Sequence, residues 1–338
     1  MSFKHVLKSL FLLLAATGAQ PALAQAGLDA PIPPATKLVV ADQRQFLQVS
    51  FEASGELKKL PFQVQFADFR GGPAILEAFR GGALDLAVVG NGPPVQAHVS
   101  GYPLPIVGAK ITDVSPYRYA LRPGSDIKKL ADLRGKKIAY TEGTAVQPFV
   151  LHTLNKLGLT KKDVTLVPLR IVDFTDAVRT GAIDAATMNE PPLSRYLTLF
   201  KDSGAQVLPE SEHEGLPLYV SYLYASKAAL QDPAKTAAIA AFVRHWVKAT
   251  QWTEDNADAW IQAYYVKSQG LPADVGATVH AAQGRSSFPK LSAFIPGQQE
   301  IIDLIHGAGE IPKRLDAAEE FDLRFDDVGA QAAGPAGR

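Results

Sequence analysis

The chain of 338 residues contains no cysteine. That absence removes disulfide scaffolds, thiolate zinc sites, cysteine nucleophiles and iron–sulfur clusters together. Net charge is also lacking: 34 Lys and Arg balance 34 Asp and Glu. No field of either sign is then available to draw in nucleic acid or an anionic membrane, and no nucleic-acid partner is expected. Catalytic signatures are missing as well. There is no G-x-S-x-G elbow, no H-E-x-x-H and no G-x-x-x-x-G-K-[ST] phosphate loop. Gly90-x-Gly92 is half of a dinucleotide fingerprint whose third position is Val95. The seven histidines (His5, His98, His152, His213, His245, His280, His306) show no metal-ligand spacing. No metal or cofactor is expected, and the chain does not read as an enzyme.

What is present is an ordinary globular mixture, 47% hydrophobic and 20% charged, of a length that suits two domains. It opens on Lys4 and Lys8, an apolar stretch over residues 10–16, and the small-x-small triplet Ala22-Leu23-Ala24. This is the pattern of a secretory signal peptide over residues 1–24, cleaved after Ala24. The apolar stretch is too short for the ~20 residues that span a bilayer. Loss of Lys4 and Lys8 leaves 32 basic against 34 acidic residues. Without a cysteine there is no lipid attachment, so the expectation is a soluble protein of the periplasm.

From residue 37 short β-like runs alternate with helical ones. Strands are expected at 37–41, 62–66, 84–89, 117–121, 137–140 and 164–168. Helices are expected at 45–54, 73–80, 93–100, 146–157 and 174–180. Alternation of this kind predicts an α/β fold with mostly parallel strands flanked by helices. From Asp232 onward the pattern is helical. Asp232 caps, Pro233 opens, and Ile239, Phe242, Val243, Trp246 and Val247 follow helix spacing. The tryptophans Trp246, Trp252 and Trp260 read as core. The tail from residue 323 reads as flexible and polar, with Glu319-Glu320 and Asp326-Asp327 as solvated acids.

An internal repeat is the most informative feature. Residues 77–93 read EAFRGGALDLAVVGNGP and residues 176–192 read DAVRTGAIDAATMNEPP, with seven identities in 17 positions. Each copy is a helix, a glycine stop, a short buried strand and a polar loop ending in prolines. The repeat predicts two similar lobes, each presenting the loop after its strand to a shared cleft, since ligands of open α/β sheets bind beyond the carboxyl ends of the strands.

The stretch Phe69-Arg70-Gly71-Gly72-Pro73, followed by Leu76-Glu77-Ala78-Phe79-Arg80-Gly81-Gly82-Ala83-Leu84-Asp85, resembles solute-binding proteins of ABC importers. The nearest group is the aliphatic sulfonate, taurine and nitrate binders of the type II periplasmic binding fold. Leu130-Ala131-Asp132-Leu133-Arg134-Gly135-Lys136-Lys137 continues the likeness, as do Gly143-Thr144-Ala145 and Arg179-Thr180-Gly181-Ala182-Ile183-Asp184. The resemblance implies a two-lobe monomer that closes about a hinge on a small oxyanion, such as a sulfonate, and delivers it to a membrane permease. The lobes are expected at 37–113 plus 225–322 and at 114–224, with hinges near 111–116 and 219–225 and a flexible tail at 323–338. One departure stands out. Where the family often carries an aromatic–acid–proline triplet, this chain has Met188-Asn189-Glu190-Pro191-Pro192.

A sulfonate or nitrate needs hydrogen-bond donors, which the N–H groups of a helix start supply. Thr144 and Ala145, Asn91 and Gly92, and Gly71 and Gly72 sit at such starts. Gln43 and Arg44 follow the first strand, where an amide and a guanidinium reach a bound oxyanion. Asn189 and Glu190 are expected at the far end of the ligand, and Arg70 and Arg170 also follow strands. Three alternatives remain open. One is an aromatic acid or heterocyclic vitamin precursor, stacked on Tyr117, Phe149 or Tyr219. Another is a periplasmic enzyme, including a pyrimidine-synthase-like relative whose chemistry uses a cysteine-rich segment. The third is a ligand-sensing subunit of a receptor.

Overall fold

The computed structural model describes residues 27–335 except Pro217, so the expected signal peptide at 1–24 lies outside the described residues. Eleven strands are described: β1 (Lys37–Asp42), β2 (Gln63–Asp68), β3 (Leu86–Val89), β4 (Ile106–Thr112), β5 (Arg118–Leu121), β6 (Lys137–Tyr140), β7 (Thr165–Pro168), β8 (Ala185–Met188), β9 (Gln206–Val207), β10 (Val220–Ala225) and β11 (Ser286–Ser287). They form two sheets, ordered β11-β4-β10-β3-β1-β2 and β7-β6-β8-β5-β9. In each, three parallel strands (β2-β1-β3 and β7-β6-β8) are joined by an antiparallel one, β10 or β5.

The sequence repeat maps onto this symmetry. β3 and β8 hold the same place in their sheets, and the aspartates before them make the same bonds. Asp85 accepts from Val39 N–H at 2.8 Å and from Lys235 Nζ at 2.7 Å. Asp184 accepts from Lys137 N–H at 2.8 Å and from Arg122 Nε at 3.0 Å. Each aspartate therefore fastens the start of the neighbouring parallel strand. Gly82 and Gly181, at φ 70° and 75°, close the two preceding helices in the left-handed region that favours glycine.

The helix Pro233–Asp255 buries Ile239, Phe242, Val243, Trp246 and Val247, the face its spacing predicts, and Asp232 caps it through Ala234 and Lys235 N–H. A short helix, Ala257–Trp260, continues into a π-helix, Ile261–Ser268. There Trp260 stacks on Tyr264 at 4.8 Å, and Phe46 meets both rings edge-on at 5.3 and 5.1 Å. This aromatic knot ties the π-helix to the start of the Phe46–Ala53 helix.

The structure corrects the expected partition in four places. Val220–Ala225 is a buried strand between β3 and β4, rather than a hinge segment. The stretch 301–317, expected in the first lobe, packs on the second, while Phe321, Phe325 and Val328 return to the first. Ile301, Ile302, Ile305, Ile311 and Leu315 join the core around Tyr119, Ile138 and Val150. The tail from 323 is not frayed through its described part: Phe325 is fully buried, and a helix at Val328–Ala333 buries Val328, Ala330 and Ala333. Lastly, Glu320 is 1% exposed rather than solvated, bonded to His98 Nδ1 at 3.2 Å and Gln298 Nε2 at 2.8 Å. All four follow from amphipathic or short segments whose packing partners are distant in sequence.

Candidate functional site

Between the two sheets lies a cleft of about 450 Å³. Its walls come from the carboxyl ends of the parallel strands: Gln43 and Arg44 after β1, Phe69 to Gly72 after β2, Gly90 after β3, Thr144 and Ala145 after β6, Ile171 and Val172 after β7, and Asn189 after β8. This is the placement expected of open α/β sheets.

The turn after β1 is the most constrained. Asp42 is 3% exposed and its carboxylate accepts N–H bonds from Gln43 at 2.7 Å, Leu47 at 3.0 Å and Gln48 at 2.8 Å. Burial pushes its pKa up to about 6, against the pull of those three donors and with help from the nearby Asp68 carboxylate. Held this way, Arg44 and Gln45 adopt positive φ (58° and 56°), which is rare for residues other than glycine. From the π-helix side, Gln269 Nε2 donates to the Arg44 carbonyl at 2.9 Å and Ser268 Oγ to Gln45 Oε1 at 3.2 Å. Gln43 Nε2 donates to the Val88 carbonyl at 3.1 Å.

Helices of eight or more residues begin at the cleft at Gly72, Val146 and Pro192, besides those at Phe46 and Gly92. The first N–H groups of a helix have no partner within it, and here Val146 N–H is taken by Thr144 and Ser194 N–H by Glu190. Gly71, at φ 127°, turns the chain into the helix that begins at Gly72. Thr144 Oγ1 donates to the Thr141 carbonyl at 2.8 Å and accepts from Val146 N–H at 3.2 Å, so its hydroxyl proton is spent on the turn itself. Arg44, Arg70 and Arg195 line the cleft against one carboxylate, Asp68, an excess of positive charge. Tyr117 and Tyr219 meet edge-on at 5.7 Å on its wall. Burial raises both phenols, so they stay neutral at pH 7.

Of the residues nominated from sequence, Gln43, Arg44, Gly71, Gly72, Thr144, Ala145 and Asn189 lie on this cleft. Gly92 sits where the lobes touch, its Cα against the Thr144 carbonyl. The Asn91 carbonyl accepts from Gln298 Nε2 at 3.1 Å, beside the cleft rather than on its wall. The Glu190 carboxylate turns to Ser194, accepting from its N–H at 3.1 Å and its Oγ at 3.0 Å, and burial raises its pKa. Arg170 pairs with Asp173 at 2.7 and 2.9 Å, off the cleft wall. Sequence reasoning missed Thr175, Arg195 and Gln269. Thr175 lies just past β7 and falls within reach of the strand-end rule. Arg195 and Gln269 sit beyond the loops that the rule covers, and nothing local marks them.

Residues 67–260 match the family described as NMT1/THI5 like. The chain belongs to that family. Among its relatives is a protein of Escherichia coli K12 named for aliphatic sulfonate binding, 26% identical over 288 residues that cover 84% of each chain. The alkanesulfonate-binding protein SsuA of Xanthomonas axonopodis pv. citri, solved bound to MOPS, superposes with a TM-score of 0.76. It is 25% identical and covers 87% of this chain and 99% of its own. A cysteine mutant of DSZB in complex with biphenyl-2-sulfinic acid shares the fold alone, at 15% identity and a TM-score of 0.60 over 87% of this chain and 99% of that one. This member of the NMT1/THI5-like family thus has the two-sheet periplasmic binding architecture, with its cleft at the strand ends of both lobes. Among the described residues no helix is long and apolar enough to cross a membrane, and no cluster of metal-ligating side chains is found.

Proposed function

We propose that this chain is the periplasmic solute-binding component of an ABC importer, and that it captures an aliphatic sulfonate or similar small oxyanion. The observation that carries the reading is the convergence of helix starts and arginines from both lobes on one cleft, with Asp68 the only carboxylate on its wall among the described residues. A sulfonate offers three acceptor oxygens and a permanent negative charge, and the three arginines with the helix-start dipoles would serve both. The alkanesulfonate-binding relatives support the same ligand class.

In this reading the solute bridges the lobes, and its differential contacts stabilise the closed state, which a permease then recognises. The chain works as an exported monomer and binds without turnover. A second reading is favoured by Tyr117 and Tyr219, whose rings suit an aromatic acid.

The test is calorimetric titration and thermal shift of the chain lacking residues 1–24 against alkanesulfonates, taurine, nitrate, sulfate and aromatic acids. A ligand at ~100 times its Kd adds about 2.7 kcal/mol. Stabilisation by alkanesulfonates, with no loss of ligand over time, supports the proposal. Stabilisation only by aromatic acids moves the assignment to the second reading, and consumption of the ligand overturns the transport role.

A further inference from the structure

Behind Tyr219 lies a second chamber of about 200 Å³, which shares Gln43, Arg44, Asn189 and Tyr219 with the main cleft. Its inner wall carries Lys110, whose Nζ donates to Ser286 Oγ at 3.1 Å and makes no ion pair among the described residues. An ammonium buried without a carboxylate partner is costly, so either it loses its proton or something else pairs with it. Burial lowers Lys110 to about 8, with Glu254 opposing, so most of the charge survives at pH 7. Across the chamber His280 has a buried Nδ1 with no hydrogen-bond partner.

Three carboxylates also face this space, and each is already committed. Asp42 holds the three N–H groups described above. Glu190 holds Ser194. Glu254 accepts from Ser286 N–H at 2.9 Å and lies 3.8 Å from Arg285 Nη2. Apart from Arg44, which the main cleft shares and which donates from Nη1 to the Glu190 carbonyl at 3.5 Å, the unspent capacity of the chamber therefore rests on the Lys110 ammonium and the His280 ring.

We propose that this chamber is a second subsite, in which Lys110 recognises an acceptor-rich group, a carboxylate above all, on the distal end of the solute. The inference rests on the sulfonate reading of the main cleft and narrows it. The solute becomes an alkanesulfonate with a second acid at its other end, sulfonate in the cleft and carboxylate beyond Tyr219. Plain alkanesulfonates enter the cleft and leave Lys110 unpaired.

The test titrates wild type and Lys110→Met with length-matched alkanesulfonates ending in a methyl, a carboxylate or an amine. Wild type is expected to bind the carboxylate form at least about tenfold more tightly than the methyl form. Lys110→Met should erase that preference while changing methyl-form affinity by less than about threefold. Equal wild-type affinities, or a preference for the amine, overturn the subsite, the latter by giving the three carboxylates the deciding role. The wild-type comparison decides the matter even if Lys110→Met does not fold, which its melting midpoint reveals. Binding of methyl-terminated sulfonates without any carboxylate preference defeats this inference alone. Failure of every sulfonate to bind defeats the sulfonate reading and the subsite with it.

Discussion

Gly92 rests its bare Cα against the peptide carbonyl of Thr144, so the first lobe meets the second with no side chain between them. Two neighbours repeat the arrangement. A Cβ on Gly90 would fall 2.6 Å from that of Ala145, and one on Gly72 would fall 3.1 Å from the Gly143 carbonyl. These small residues set how near the helix starts of the two lobes can come, and hence how well they converge on one anion.

Gly92→Ala tests this directly. Gly92 is not among the glycines at positive φ, so alanine suits the local backbone, and its Cβ would overlap the Thr144 carbonyl oxygen, a clash that the hinge opening of the proposed mechanism would relieve. We expect the unliganded melting temperature to stay nearly unchanged and the Kd for the solute to rise about tenfold or more. An unaltered Kd by calorimetry would show that this contact does not govern closure.

Arg195 reaches from the Pro192–Leu199 helix to the other lobe, donating from Nη2 to the Gln269 carbonyl at 2.6 Å. Gln269 in turn holds the Arg44 carbonyl. Arg195→Met should remove this hydrogen bond, worth about 0.5–1.5 kcal/mol, together with one of the three cleft cations, and so speed solute release by at least about two- to tenfold. Stopped-flow release rates measure this, and an unchanged rate would remove Arg195 from the closure contacts.

The turn after β1 should show in the pH dependence of stability. Asp42 has a folded-state pKa of about 6 against the ordinary 3.8. Its contribution is therefore present in full below the unfolded value and is lost as pH rises through about 6. The loss amounts to about 3 kcal/mol for this group alone. Denaturant unfolding of wild type and Asp42→Asn between pH 4 and 7 should give curves that converge or cross, because the variant lacks this titration. Parallel curves would contradict the shift.

Asp85 and Asp184 are expected to cost alike when removed. Each supplies the acceptor for one strand-start N–H and one cation. Asp85→Ala and Asp184→Ala should each destabilise by about 2 kcal/mol in denaturant titration. If only one of them destabilises, the two lobes do not use the repeated aspartate in the same way.

The tail offers a sharper contrast. Phe325 is fully buried in the first core. Phe325→Ala should therefore cost about 3–5 kcal/mol, whereas a flexible tail would lose nothing.

The sequence by itself determined the local pieces and their rhythm. Alternating apolar runs and glycine stops placed β1, β3 and β6 and the helices between them, because period and turn chemistry are properties of neighbouring residues. The repeat already paired Asp85 with Asp184, while the bonds the two make came from the structure. The strand-end rule led to Gln43 and Arg44, since parallel strands place the loops after them on one side, and the helix-start argument led to Gly71 and Thr144. Tertiary structure alone decided what those pieces meet. It carried Ile301, Ile302 and Ile305 onto the second core, buried Glu320 beside His98, and brought Arg195 and Gln269 together across the cleft. It also left Lys110 facing a chamber, bonded to Ser286 but with no ion pair among the described residues. An apolar stripe or a lone charge encodes how strongly it needs burial or pairing, while the surface that satisfies that need is fixed only when distant segments pack.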